Sequence, residues 1–405
     1  MKKLLFFIFS ISISSFVFGQ LSGSYTVGGS GGHFSTVVQA VDSLNRQGVS
    51  GKVVFNIRPG TYTGHLRINS PTGASATNTI LFRPDTGNTT PVIIQYTGTS
   101  TNRSVILFNA SKYITFDSLT VKARGTSYSI VTEFRGAASN ITVNGCKLEG
   151  YASATTGTYQ TVVYDNTGTG NMANNITYND NDISGGSHGF YTYGSNTSRQ
   201  QTGWKITNNN IHDWGYMGVR AQYVNMSING NKIHSKKTGG YFYPYGLYLY
   251  YCYNTEARKN DIQLVSNSMT YGYGMYIRNC YATSSSRKYF ANNMVYSRAS
   301  YYAVYYYLNN YTDFVHNTIK SGSGYNSVYT CYYYGGTASY FRNNICYNST
   351  GGYAMYQIGS SSLRTHNNYY STGTQTNFTR VASEKTVDPI FNSISDLHIN
   401  SITLD

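Results

Sequence analysis

Seven side chains in the middle of the chain have types suited to acid–base work on an anionic substrate: His188, His212, Asp213, Arg220, Lys236, Lys237 and Arg278. A polysaccharide lyase must neutralise a uronate carboxylate and remove the neighbouring proton. Arg, Lys, His or Tyr can share those tasks, often with Ca²⁺ held by acidic residues. The seven form no recognised motif, and a basic, aromatic stretch produces such a set by composition alone. Hydrolysis of a glycosidic bond would instead need two carboxyl groups facing each other across it. Asp180 and Asp182 are the nearest pair, and their setting among Asn and Gly also suits exposed turn residues. His212 and His234 lie 22 positions apart and, with Asp213, could hold Zn²⁺ or Cu²⁺. Two surface histidines without an ion are the plainer reading. No cofactor is expected, apart from Ca²⁺ if the chain is a lyase.

Tyrosines make the strongest pattern. A phrase of a small residue, an apolar residue and usually Tyr recurs as Gly189-Phe190-Tyr191, Gly218-Val219-Arg220, Gly246-Leu247-Tyr248, Gly274-Met275-Tyr276, Ala303-Val304-Tyr305, Ser327-Val328-Tyr329 and Ala354-Met355-Tyr356. Its last residue advances by 29, 28, 28, 29, 24 and 27 positions. Two residues on lie Tyr193, Tyr250, Arg278 and Tyr307. If each place is a column of stacked strands, the tyrosines form an outward row with Arg220 in its gap. Outward aromatics on a parallel sheet support cross-strand pairs. Rings with an apolar face and a hydroxyl also suit sugars, which stack and hydrogen-bond at once. This row, with Arg220 and Arg278, is the expected carbohydrate-binding face.

The elements that must position these columns come from a second repeat. From about residue 105 an octet recurs, as Ile141–Leu148, Ile176–Ile183, Trp204–Ile211 and Met226–Ile233, with later copies ending at Ile262, Val295, Ile319, Cys346 and Tyr370. Its third and eighth places are mostly apolar. The sixth is Asn at Asn181, Asn209, Asn231, Asn260, Asn293, Asn317, Asn344 and Asn368. Places three and eight differ by an odd number, so both face inward only if the chain bends between them. Asn suits the bend because it tolerates left-handed φ, and stacked Asn amides can bond as a ladder. Units near 28 residues that contact only their neighbours define a β-solenoid. Cys252 and Cys280 share another column, each four residues after its Tyr. That spacing allows a disulfide, although two small buried residues suit it as well.

Composition agrees. The chain of 405 residues holds 43 Tyr, 41 Gly, only 6 Pro and 5 Cys, which suits many short strands joined by turns and excludes a disulfide scaffold. The odd Cys count leaves at least one thiol free. Lys2, Lys3 and the apolar run Leu4–Phe18 read as a signal peptide over residues 1–19. That run is too short to span a membrane and no second one follows, so a secreted or cell-surface protein is expected. Loss of Lys2 and Lys3 takes the net charge from +14 to +12. A basic surface favours an acidic polysaccharide, and export makes intracellular nucleic acid the least suitable partner.

One helix is expected where Phe34, Val37, Val38, Val41 and Leu44 recur after Ser35 and Thr36, as a cap on the first rung. His33-Phe34-Ser-Thr-Val-Val-Gln-Ala-Val41 with Asn56-Ile-Arg-Pro-Gly-Thr-Tyr62 resembles the capping segment of the pectate-lyase-like right-handed parallel β-helix superfamily, pectin methylesterases included. The rung phrases, and Val387-Asp-Pro-Ile-Phe391 with Asp396-Leu-His-Ile399, are similar to β-helix repeats of large bacterial surface proteins. In such proteins the closing phrase leads into more sequence, so further domains beyond Asp405 are expected. The resemblance implies that the sheet carrying the Tyr row lines a substrate groove. It does not carry the family's chemistry across. The methylesterase motifs are absent, with Gly64-His65 where an acid should follow Tyr62. Gly185-Gly-Ser-His-Gly189 loosely resembles the polygalacturonase Gly-His-Gly region, without that family's paired Asp or its Arg-x-Lys.

The expected protein is therefore all-β: a right-handed, single-stranded parallel β-helix of about ten rungs with an N-terminal capping helix. Residues 20–104 would form the cap and first rungs, 105–373 the repeats and 374–405 a C-terminal segment. The expected function is binding or adhesion to polysaccharide without catalysis, with Tyr191, Tyr193, Arg220, Tyr248, Tyr250, Tyr276, Arg278, Tyr305, Tyr307, Tyr329 and Tyr356 as the contact residues. The alternatives are a lyase acting on an acidic glycan and a spacer within a larger surface protein.

Overall fold

The structure, a computed structural model, describes residues 19–87, 90–152, 155–166, 172–298, 301–322, 329–359, 363–393 and 396–399. The apolar segment read as a signal peptide, and Ser327 and Val328 of the tyrosine phrase, lie outside the described residues.

The chain coils as a right-handed parallel β-helix. Among the described residues, three all-parallel sheets of 13, 11 and 12 strands run along its axis. One middle rung shows the path. Tyr245–Tyr250 lies in the sheet here called the tyrosine sheet, Glu256–Arg258 in the long sheet, and Asp261–Leu264 in the sheet that carries His212 and His234, the histidine sheet. The next rung re-enters the tyrosine sheet at Tyr273–Arg278. Among the described residues, no helix is long and apolar enough to cross a membrane.

The octet spans the corner between the long and histidine sheets, and it places the core. Its first, third and eighth places are buried, as at Ile141, Val143 and Leu148. Third-place rings stack through the interior, with Phe82–Phe116 centroids 4.7 Å apart and Phe314–Phe341 5.2 Å apart. The Asn ladder is present. Each side-chain amide donates to the next rung's Asn oxygen at 2.8 to 3.1 Å from Asn181 through Asn209, Asn231, Asn260, Asn293, Asn317 and Asn344 to Asn367. Each of these amides also donates to a backbone carbonyl of the preceding rung, as Asn260 Nδ2 does to Ile228 at 2.8 Å.

Two details of the octet differ from expectation. The left-handed residue is the fifth, not the sixth: Asp180, Asn208, Gly230, Lys259, Asn292, His316 and Asn343 have φ between 55° and 71°. The ladder Asn is held by its amide bonds inside the corner, so the residue before it makes the turn. The last copy is also displaced by one residue. Phe341 pairs with Arg364, Cys346 with Tyr369, and Asn367 rather than Asn368 ends the ladder. The apolar third place is thus filled by Arg364, whose guanidinium meets the fully buried Glu384 at 3.1 Å. Glu384 Oε1 also accepts from Asn367 Nδ2 at 3.2 Å, so one carboxylate closes both the core and the ladder.

At the other end the helix Val37–Gln47 starts at Thr36, whose hydroxyl accepts from Gln39 N at 3.1 Å, and buries Val37, Ala40, Val41 and Leu44. Cys252 and Cys280 occupy neighbouring rungs, with Tyr281 N donating to Cys252 O at 3.0 Å, and both are buried free thiols.

Candidate functional site

On each middle strand of the tyrosine sheet three side chains point out. In Tyr245-Gly-Leu-Tyr-Leu-Tyr250 these are Tyr245, Tyr248 and Tyr250, while Leu247 and Leu249 are fully buried. Gly246 lies so close to its neighbours that a Cβ there would meet Ile262 Cγ2 at 2.4 Å and Gly274 O at 2.5 Å. The small-residue column therefore marks where the turn of the coil pinches.

Register makes three outward columns. The central one runs Tyr164, Tyr191, Arg220, Tyr248, Tyr276, Tyr305, Tyr332 and Tyr356. Tyr329 is not in it. Tyr329 pairs with Tyr302 and Tyr353 in the column that begins at Tyr245 and Tyr273, and Thr330 takes the small place expected of Ser327. The displacement of three residues arises because Ser327-Val328-Tyr329 imitates by residue type the phrase that Thr330-Cys331-Tyr332 fills, although Tyr332, 27 positions after Tyr305, keeps the regular step better. The third column is Tyr193, Gln222, Tyr250, Arg278, Tyr307 and Tyr334. Sequence spacing missed Tyr245, Tyr273, Tyr302, Tyr332, Tyr334 and Tyr353. A signal existed in the recurring Tyr-x-x-Tyr of Tyr245/Tyr248, Tyr273/Tyr276, Tyr302/Tyr305, Tyr329/Tyr332 and Tyr353/Tyr356.

Ring orientation changes what this face offers. Tyr248 and Tyr276 stack at 4.9 Å and 1°, Tyr276 and Tyr305 at 4.9 Å and 9°, and Tyr305 and Tyr332 at 5.1 Å and 10°. Tyr245 and Tyr273 stack likewise at 4.6 Å and meet the central column edge-on. The ring faces cover one another, so the expectation of sugar rings lying on them fails along the stack. Ring edges and hydroxyls are what remain. Burial and neighbouring rings push the hydroxyls of Tyr248 and Tyr273 up to about 12, and raise Tyr245, Tyr302 and Tyr305 for the same causes. The face is therefore a neutral row of hydroxyl donors and acceptors.

Two cations interrupt it. Arg220 lies over Tyr191 at 4.3 Å and donates to Gln222 Oε1 at 3.0 Å. Arg278 lies between Tyr250 and Tyr307, at 5.5 and 5.2 Å, and donates to the Tyr276 hydroxyl at 3.3 Å. Beside the sheet, the connection before Tyr245 carries Tyr241, Phe242 and Tyr243. Phe242 is 45% exposed, yet its carbonyl accepts from Thr270 N and Tyr271 N at 3.0 and 3.2 Å. A pinned aromatic rim thus stands next to the hydroxyl row.

The candidate acid–base residues do not converge. His188 is on the tyrosine sheet but buried, edge-on to Tyr191 and Tyr216 at 5.4 and 5.3 Å, with Ser187 Oγ 2.8 Å from Nδ1. Burial, helped by the Arg220 charge, pushes it down to about 3, so the imidazole is neutral. His212 and Asp213 are on the strand Asn210–Trp214 of the histidine sheet, a different face of the coil. No one substrate bond can meet His188, Arg220 or Arg278 together with His212 and Asp213, because strands of separate sheets point their side chains away from a common axis. Lys236 and Lys237 lie in the connection that follows Lys232–Ser235.

His212 and His234 do pair in register. Both His212 nitrogens meet carboxylates, Asp182 at 2.9 Å and Asp213 at 2.8 Å, and His234 meets Asp261 at 3.1 Å. Among the described residues, no group of three or more His, Cys, Asp or Glu is arranged to hold a metal. Asp180 is an exposed corner residue, whereas Asp182 is a strand residue bonded to His212 and Asn210. Glu133 was missed in sequence. It is buried at the start of the central column between Arg103 at 3.2 Å and Arg135 at 2.8 Å.

No protein-family model matches the chain, and no curated protein matches it. Among solved structures the fold is similar to a GH136 lacto-N-biosidase from Eubacterium ramulus, at 10% identity and TM-score 0.54 over 90% of this chain and 68% of that one. It is also similar to the Dettilon tailspike protein, at 11% identity and TM-score 0.54 over 84% of this chain and 64% of that one. These likenesses place the chain among right-handed parallel β-helices.

Proposed function

We propose that this protein binds an extended polysaccharide along its tyrosine sheet, outside the cell or at its surface, and does not cleave it. The observation that carries the reading is the stacked central column, which turns its ring edges and hydroxyls outward at every rung from Tyr248 to Tyr332. A glycan lying parallel to the coil axis meets the same hydroxyl spacing of about 4.8 Å at each step. Its ring hydroxyls can donate to and accept from the phenols. The exposed ring of Phe242 at the rim supplies the apolar platform that the self-stacked rings withhold. Support also comes from the solved structures, since the similar fold from Eubacterium ramulus is by its name a GH136 lacto-N-biosidase.

The test is affinity electrophoresis through gels containing a panel of glycans. The triple variant Tyr248→Phe, Tyr276→Phe and Tyr305→Phe keeps the stack but removes three hydroxyls. It should lose at least about tenfold in affinity, each lost hydrogen bond being worth about 1 kcal/mol. Equal retention of wild type and triple variant would refute the hydroxyl row as the binding element. Appearance of new reducing or unsaturated ends during incubation would replace binding by catalysis.

A further inference from the structure

Five arginines set against the coil are tied to carboxylates, and Arg220 and Arg278 are not. Arg103, Arg135, Arg258 and Arg364 each pair with a carboxylate, at 3.2, 2.8, 2.8 and 3.1 Å, and Arg287 pairs with Asp313. Arg220 and Arg278 touch only tyrosine rings, one phenol and one amide oxygen, and neither has an acidic partner among the described residues. Each also keeps a shielded nitrogen without a partner, Nη1 of Arg220 and Nε of Arg278. A guanidinium lying on aromatic rings has given up hydration, and here no protein anion replaces it. The compensation can come from an anionic ligand, which a guanidinium binds through charge-assisted, often paired hydrogen bonds.

Their spacing says how those charges are arranged. Arg220 pairs with Tyr248, which pairs with Tyr276, and Gln222 and Tyr250 precede Arg278 in the adjoining column. The two cations are therefore two rungs apart along the axis, roughly 10 Å, and two residues apart across it. The rung between them offers only the neutral Tyr245, Tyr248 and Tyr250, and the rungs after Arg278 offer Tyr305, Tyr307, Tyr332 and Tyr334 among their tyrosines. One sugar of an extended glycan advances by about one rung. Two rungs thus match two sugars.

We infer that the tyrosine sheet selects a glycan bearing a carboxylate or sulfate on every second sugar, with one acidic group on Arg220, the next on Arg278 and a neutral sugar over Tyr248. The inference rests on the polysaccharide reading above and adds the charge pattern to it.

The test compares wild type, Arg220→Gln, Arg278→Gln and the corresponding Lys variants by affinity electrophoresis. The gels contain hyaluronan, with a carboxylate on alternate sugars; κ-carrageenan, with a sulfate on alternate sugars; polygalacturonate, with a carboxylate on every sugar; or neutral dextran. Wild type should be retarded most by the alternating polymers, and the hyaluronan and κ-carrageenan gels separate carboxylate from sulfate. Each Gln variant should lose at least about tenfold there, and Lys should restore part of that loss. A melting temperature unchanged in the Gln variants shows that the loss is not unfolding. Equal retention on dextran, preference for polygalacturonate, or indifference to both Gln changes overturns the charge pattern while leaving polysaccharide binding in place. No retention on any glycan overturns the binding reading itself.

Discussion

Truncating one rung of the asparagine ladder should destabilise the coil by an amount that can be counted from its bonds. Asn260 donates to Ile228 O at 2.8 Å and to Asn293 Oδ1 at 2.9 Å, and accepts from Asn231 N and Asn231 Nδ2, both at 3.0 Å. Asn260→Ala leaves the Asn231 N–H, one Asn231 amide hydrogen and the Ile228 carbonyl buried without partners. At about 1–3 kcal/mol for each orphaned group, relaxation included, the loss is about 3–6 kcal/mol. The solenoid transmits it mainly to the adjoining rungs, so a global melt dilutes the effect. Hydrogen exchange read at the Asn231 amide is the direct assay, and its protection should fall by about 10² to 10⁴. Asn260→Asp should be worse, because a buried carboxylate cannot donate to Ile228. Protection within about threefold of wild type would refute the idea that the amides hold the corner.

Three further outcomes follow from burial and packing. His188 is held neutral and down to about 3, whereas an unfolded histidine titrates near 6.5, so the unfolded chain alone gains a proton in that interval. Stability should fall as pH drops from about 6.5 towards 3, by up to about 4 kcal/mol. His188→Gln should flatten that slope in melts at pH 7 and pH 4.5. Gly246→Ala puts a methyl against Ile262 and the Gly274 carbonyl, and should cost about 1–3 kcal/mol by overpacking, with a lower melting temperature. Glu384→Gln strips the buried Arg364 of its counter-charge and should cost about 3–5 kcal/mol at the C-terminal rungs, where limited proteolysis would show earlier cutting.

Much of this coil was legible in the residues. Val143, Ile206 and Phe314 at the third place, and Asn181 to Asn344 at the sixth, fall where the octet put them. His212 and His234 are register neighbours, as their shared place implied. Tyr329 suits its column in sequence because Ser327-Val328-Tyr329 fits the small, apolar, Tyr phrase, and Asn368 because Asn367-Asn368 is a doublet, yet register puts Tyr332 and Asn367 in those columns. The left-handed corner was credited to the ladder Asn, although Lys259 and His316 adopt it one place earlier. Residue type did not reveal it, because the corner is set by a bond network shared between rungs.

The repeating coil, its inward places and its ladder follow from the residues alone. A parallel stack presents the same environment once per turn, and selection for that environment repeats the residue type. Folding alone set what the tyrosines present. Their faces close on one another at about the strand spacing, which no composition or period encodes. It also decided that the candidate acid–base residues are divided, His212 and Asp213 on one sheet and His188, Arg220 and Arg278 on another. Separation by sheet depends on where the corners fall. And it left Arg220 and Arg278 without a counter-charge among the described residues, since the absence of an acid beside a cation is a property of three-dimensional neighbours alone.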